Sequence, residues 1–93
     1  MTNEVRDNAA KSRYELDVDG HIAFVEYRLA PGKITLLHTE VPRELAGRGI
    51  GSVLAKGTLE AVRAKGLKAE IRCDFLDAYL KKHPEYSDLV TAK

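Results

Sequence analysis

The sequence predicts a small α/β domain: a three-stranded antiparallel meander, then a helix, a parallel strand and a C-terminal helix. Three observations carry that expectation. Arg13–Val18 alternates apolar and polar residues and runs into Asp19-Gly20, a pair that tolerates the positive φ angles of a two-residue hairpin turn. Residues 37–54, LHTEVPRELAGRGIGSVL, read as a strand end, a short loop, a glycine-rich turn and a helix start. A second alternating run, 67–73, follows the helical pattern and its Gly66 stop. Strand, helix, strand implies a parallel pair with a right-handed crossover.

Each element has its own justification. Residues 1–11 are polar and are expected as a flexible tail, leaving a single domain over 12–90. Tyr14, Leu16 and Val18 share one face of the first strand. Residues 21–29 form the return strand, Pro31-Gly32 turns the chain again, and 33–41 is the third strand. Pro42 ends that ladder because it has no N–H to donate. The helix over 50–65 places Ile50, Val53, Leu54, Gly57, Ala61 and Ala64 inward and Ser52, Lys56, Glu60 and Arg63 outward. Gly57 costs about 1 kcal/mol in a helix interior, which close packing against the sheet would explain. In the next strand Leu67, Ala69, Ile71 and Cys73 face inward. Asp74 is the expected N-cap of a second helix over 75–82, which Pro84 ends. Leu89 and Val90 dock a last short turn.

Composition narrows the function classes. The 93 residues leave room for one domain, and 44% hydrophobic with 31% charged residues is an ordinary soluble balance. A formal net charge of +1 gives no bulk attraction to nucleic acid or to a membrane surface. No apolar run approaches the roughly 18 residues of a membrane span, and no secretory leader is visible. A single cysteine cannot form an internal disulfide, which suits a reducing, cytoplasmic setting. His21 and His83 have no metal-ligand spacing with each other or with Cys73, so no metal is expected. A core this small suits a monomer or weak homodimer that gains stability from a bound ligand or a second copy.

Gly47, Gly49 and Gly51 alternate with Arg48 and Ile50 just before the helix. Glycines allow positive φ and a close approach of ligand to backbone, and a helix start offers free N–H groups and a positive dipole end. Such a turn is an anion site, and phosphate is the usual anion. A dinucleotide fingerprint needs its third glycine two residues further on, and a P-loop needs Gly-Lys-Ser/Thr; neither fits. Ala46-Gly47-Arg48-Gly49-Ile50-Gly51 instead resembles the pyrophosphate loop of the GNAT superfamily of N-acetyltransferases, Gln/Arg-x-x-Gly-x-Gly/Ala. Ala46 stands where that family usually has Gln or Arg. Arg72-Cys73-Asp74-Phe75, Tyr79-Leu80 and Lys82-His83-Pro84-Glu85-Tyr86 are similar to its short single-domain branch, which lacks the N-terminal helices. The resemblance runs over about 12–90.

The resemblance implies a GNAT-like fold and acetyl-CoA as cofactor, with an acetyl group passed to an amine acceptor, a small amine or a protein. It also implies that the two parallel strands splay to admit the pantetheine arm. Val41 would bond that arm through its backbone, and Gly47, Arg48, Gly49, Ile50, Gly51 and Ser52 would hold the pyrophosphate. The alternative is a non-catalytic CoA-binding or protein-interaction module. Four side chains are candidates for chemistry. His38, placed by alternation on the face of Ile34, Leu36 and Glu40, is a proton acceptor or a structural strand histidine. Glu40 is a second base, as family members often use a strand glutamate, or a solvated charge. Cys73 is a nucleophile, a pocket wall or a small core residue. Tyr79 is the acid that protonates the departing thiolate, as a helix tyrosine does in many GNAT enzymes, or a packed ring; Tyr86 is the second choice for that role. Lys81, Lys82 and Arg43 either meet the 3′-phosphate or stay solvated.

Overall fold

A computed structural model describes residues 4–90. Its sheet has five strands in sequence order: β1 (Arg6–Asn8), β2 (Arg13–Val18), β3 (His21–Ala30), β4 (Lys33–Glu40) and β5 (Lys68–Ile71). The first four pair antiparallel and β5 joins β4 in parallel. Helix α1 (Ile50–Ala64) makes the crossover and α2 (Asp74–Lys82) follows β5. Short 3-10 turns occupy Ala9–Lys11, Arg43–Leu45 and Pro84–Leu89. The expected α/β order is therefore present, with one strand more than the meander predicted.

That extra strand corrects the expected tail. Residues 1–3 lie outside the described residues, but Arg6–Asn8 pairs with Arg13–Glu15 across the sheet edge. Its side chains explain why a polar segment is held. Asp7 accepts hydrogen bonds from the Tyr27 hydroxyl at 2.5 Å and from Lys65 Nζ at 2.7 Å. Val5 lies directly over Gly57 in α1, so the glycine makes room for the N-terminal segment rather than for the sheet.

The hairpin turn forms as its residues dictate, with Asp19 at φ 53° and Gly20 at φ 81°. The core lies between the sheet and the two helices. It is built from Tyr14, Leu16, Val25, Ile34 and Leu36 of the sheet and Leu54, Leu59, Val62 and Leu76 of the helices. The buried stripe of α1 is Ile50, Leu54, Ala55, Thr58, Leu59 and Val62. Val53 is exposed, so the inward face is rotated from the expected one, although Ser52, Lys56, Glu60 and Arg63 are outside as predicted. Branched Leu59 and Val62 fill more of the core than Gly57, Ala61 and Ala64 do, and the larger apolar area decides the rotation.

One irregularity positions everything that follows. Tyr27 is opposite Leu36, but Glu26 is opposite His38, which leaves Leu37 as an extra residue in β4. A bulge of this kind reverses which face each later residue takes.

Candidate functional site

Cross-strand partners share a face. Val25 is buried on the core side and lies opposite Thr39, whereas Glu26 and Phe24 lie opposite His38 and Glu40. After Leu37, therefore, Thr39 takes the core side, and His38 and Glu40 point to the face that carries no helix. This corrects the expectation that His38 and Glu40 continue the face of Ile34 and Leu36. Both are 56% exposed, and His38 Nε2 lies 2.8 Å from Glu40 Oε1. The two form an imidazole–carboxylate pair on the open sheet surface.

On the core side, an open groove of about 460 Å³ runs from β4 to the start of α1. Its walls are Thr39, Val41, Leu45, Ile50 and Phe75, and the glycine-rich turn closes one end. Gly47 and Gly49 sit in the left-handed region at φ 79° and 72°, with open space where a side chain would be. No side chain caps α1 and no acid stands in its first turn. Its leading N–H groups and dipole end thus face the groove uncompensated. Gly51 has a different reason. A Cβ there would lie 2.6 Å from the tip of the Phe75 ring, so this glycine admits an aromatic side chain. The glycines at 47 and 49 thus leave open space at left-handed positions, and the one at 51 makes room for packing.

Arg48 projects to the hairpin and binds Asp19 at 3.1 Å, on the surface. Cys73 is buried at the N-cap of α2, one residue before the expected Asp74, and its Sγ lies 3.1 Å from Thr39 Oγ1. Tyr79 lies beyond Phe75 in an adjoining recess with Ser52, Lys82 and His83. It stacks on His83 with ring centroids 4.1 Å apart. Burial holds its phenol above the usual value, and Glu85 and Glu60 push it the same way. Tyr86 is taken by a hydrogen bond to Glu60 at 2.6 Å, which with burial pushes its phenol up to about 12. Lys81 lies 3.7 Å from Asp77 one helical turn away.

The structure thus gathers Val41, Gly47, Gly49, Ile50, Gly51 and Ser52 about one groove, leaves Arg48 turned to the hairpin, and separates the four chemical candidates. His38 and Glu40 are together on the outer face, Cys73 lies under Thr39, and Tyr79 is across the Phe75 ring. Sequence reasoning missed Thr39 and Phe75 as groove residues. The contact of Phe75 with Gly51 had a trace in the sequence, a glycine in a helical first turn; the inward turn of Thr39 had none without the bulge. Among the described residues no three His, Cys, Asp or Glu side chains gather as a metal site, and no helix is long and apolar enough to cross a membrane.

Known proteins resemble this chain in fold and in sequence. A solution NMR structure of a GCN5-like protein from Staphylococcus aureus superposes with a TM-score of 0.73 at 29% identity, covering 100% of this chain and 93% of that one. Protein NATD1 from Gallus gallus is 43% identical over 51 residues, 55% of this chain and 46% of that protein. Protein NATD1 from Danio rerio is 36% identical over 59 residues, 61% of this chain and 54% of that protein. The chain spans about half the length of these curated relatives. The family of GCN5-related N-acetyl-transferases matches residues 13–89. The uncapped glycine turn, the parallel pair that it follows and this match over most of the sequence agree: the chain belongs to the GCN5-related N-acetyltransferase family.

Proposed function

We propose that this protein is an acetyl-CoA-dependent N-acetyltransferase that passes an acetyl group to an amine on a small molecule or a protein. One observation carries the reading. The left-handed Gly47 and Gly49 and the uncapped start of α1 open onto an apolar-walled groove that follows β4. These residues fit coenzyme A: free N–H groups from the 47–52 turn would hold the pyrophosphate, and Val41, Leu45 and Phe75 would flank the pantetheine arm. Bound acetyl-CoA would supply a thioester open to attack by a neutral amine.

The chain's own part is to bind, orient and remove a proton. β4 and β5 pair only from Lys33↔Lys68 to Leu36↔Ile71, so the strands part where the groove begins. An amine reaching that gap from the outer face meets His38 and Glu40 first. An imidazole held by a carboxylate is suited to accept the amine's proton. Tyr79, behind Phe75, is less well placed to protonate a leaving thiolate, and Cys73 is enclosed by Thr39. The separation of these four groups favours a second reading, a CoA-binding module without turnover. The lone cysteine and modest charge suit a cytoplasmic monomer or weak homodimer.

Titration calorimetry with CoA, followed by thiol release from acetyl-CoA over a panel of amines and peptides, separates the readings. Binding with turnover is expected. With an acceptor in hand, removal of a true base costs about 10²–10⁴ in rate, and His38→Ala or Glu40→Gln is expected to show it. Binding without turnover leaves the module, and no binding at millimolar CoA overturns both.

A further inference from the structure

We infer that Thr39 sets the length of acyl group the groove accepts; this rests on the CoA reading above. The last hydrogen bond between the parallel strands runs from the Arg72 N–H to the Leu36 carbonyl, at 2.9 Å. Beyond it β4 continues to Glu40, while the other strand turns into α2 at Cys73. The gap that opens is bridged by a side-chain contact, Thr39 Oγ1 to Cys73 Sγ at 3.1 Å, between residues 34 apart in sequence. Thr39 lines the groove and Cys73, 8% exposed, backs it. The bulge at Leu37 is what turns Thr39 inward to make this contact.

The groove therefore has two unlike ends. The glycine turn offers N–H groups to an anion, and the other end is walled by the Thr39 side chain, with the Cys73 thiol behind it. A ligand anchored by its phosphates and running along Val41 brings its far end against that wall. For a CoA thioester the far end is the acyl group. A side chain backed by a packed residue fills that end by its volume, which leaves added methylenes little room there. A single misfitting methylene in such a pocket changes binding by about 10-fold or more. Thr39 is a specificity residue in this account, with no part in moving protons.

Calorimetric titration of wild type and variants with CoA, acetyl-CoA and butyryl-CoA tests the assignment without needing turnover. The wild type is expected to bind butyryl-CoA about 10-fold or more weaker than acetyl-CoA. Thr39→Ala opens the wall and is expected to narrow that gap severalfold. Thr39→Leu extends it and is expected to weaken acetyl-CoA relative to CoA. Thr39→Val, which keeps the volume and loses the hydrogen bond, is expected to retain the wild-type ratio. CoA affinity in each variant reports that the groove is folded. Equal binding of both thioesters by wild type, or wild-type ratios in both the Ala and Leu variants while CoA still binds, overturns the inference and leaves the CoA reading intact. Absence of CoA binding to the wild type removes both.

Discussion

The C-terminal end of α1 is tied from three sides, while its N-terminal end is left open. At the C-terminal end, Gly66 (φ 69°) stops the helix, with hydrogen bonds from the Gly66 N–H to the Arg63 carbonyl and from the Leu67 N–H to the Val62 carbonyl. That is a Schellman cap, which satisfies carbonyls the helix leaves free. Arg63 grips Asp88 through both guanidinium nitrogens at 3.0 Å, Glu60 takes the Tyr86 hydroxyl, and Lys65 reaches Asp7. At the N-terminal end no side chain caps, no acid offsets the dipole, and Gly49 is left-handed with empty space around it. The same helix is closed by its own chain at one terminus and left for something else to close at the other. The side-chain ties gather where no ligand is expected, and the uncapped donors are where one is.

The contrast makes two left-handed glycines, Gly49 and Gly66, a matched pair for breaking it. Gly49→Glu adds a negative side chain where phosphate is expected, and is expected to weaken CoA about 100-fold, or 2.7 kcal/mol. Abolition of the CoA-induced rise in Tm, with the circular dichroism of the folded protein retained, is the readout. A Tm rise equal to that of wild type would remove the anion site from the turn. Gly66→Ala forces a side chain into the same backbone region at the closed end. It is expected to cost about 1–2 kcal/mol of stability by chemical denaturation and to leave CoA affinity unchanged. If it disturbs CoA binding as much as Gly49→Glu, the two ends are not independent.

The Asp7 clip sharpens the comparison through pH. Burial alone raises the carboxyl, but the hydrogen bonds from Lys65 and Tyr27, with the lysine's charge, outweigh it and hold the group below its ordinary value of 3.8. An acid with a depressed folded pKa stabilises the fold above the unfolded value and loses that contribution as pH falls through the folded one. Asp7→Asn is therefore expected to be less stable than wild type at pH 7, and the difference is expected to close as pH falls below about 3.8. A stability gap that persists undiminished in acid would mean that Asp7 acts by shape and not by charge. The smallest effect belongs to Arg48→Ala. Its guanidinium is engaged by Asp19 on the surface, so a loss of only a few-fold in CoA affinity is expected. A loss as large as that of Gly49→Glu would show that Arg48 leaves Asp19 to hold the phosphates.

Much of this was legible in the sequence where local chemistry dictates local shape. Asp19-Gly20 forms the turn it encodes, the alternation in β2 gives its buried face, and three spaced glycines mark the α1 turn. The failures have a common origin in tertiary contacts. Residues Arg6–Asn8 are too few and too polar to show a period, and they are held by Lys65 and Tyr27, far along the chain. The rotation of α1 depends on which residues Leu59 and Val62 meet. The bulge in β4 carries no glycine or proline to announce it; Leu37 fits an unbroken strand equally well. Hence the glycine turn and the helix start behind it were readable, while His38 and Glu40 were assigned to the wrong face.

That one unannounced residue has a consequence for how this surface can change over time. Ahead of Leu37, alternate positions of β4 are fixed by the packing of Ile34 and Leu36. Behind it, His38 and Glu40 stand free of the core, so replacing them disturbs no packed neighbour. Substitutions can therefore be tried on the open face at almost constant foldedness, while the groove behind the same strand keeps its form. Removing Leu37 would end that freedom at a stroke, exchanging the two faces and sending two polar groups into the interior.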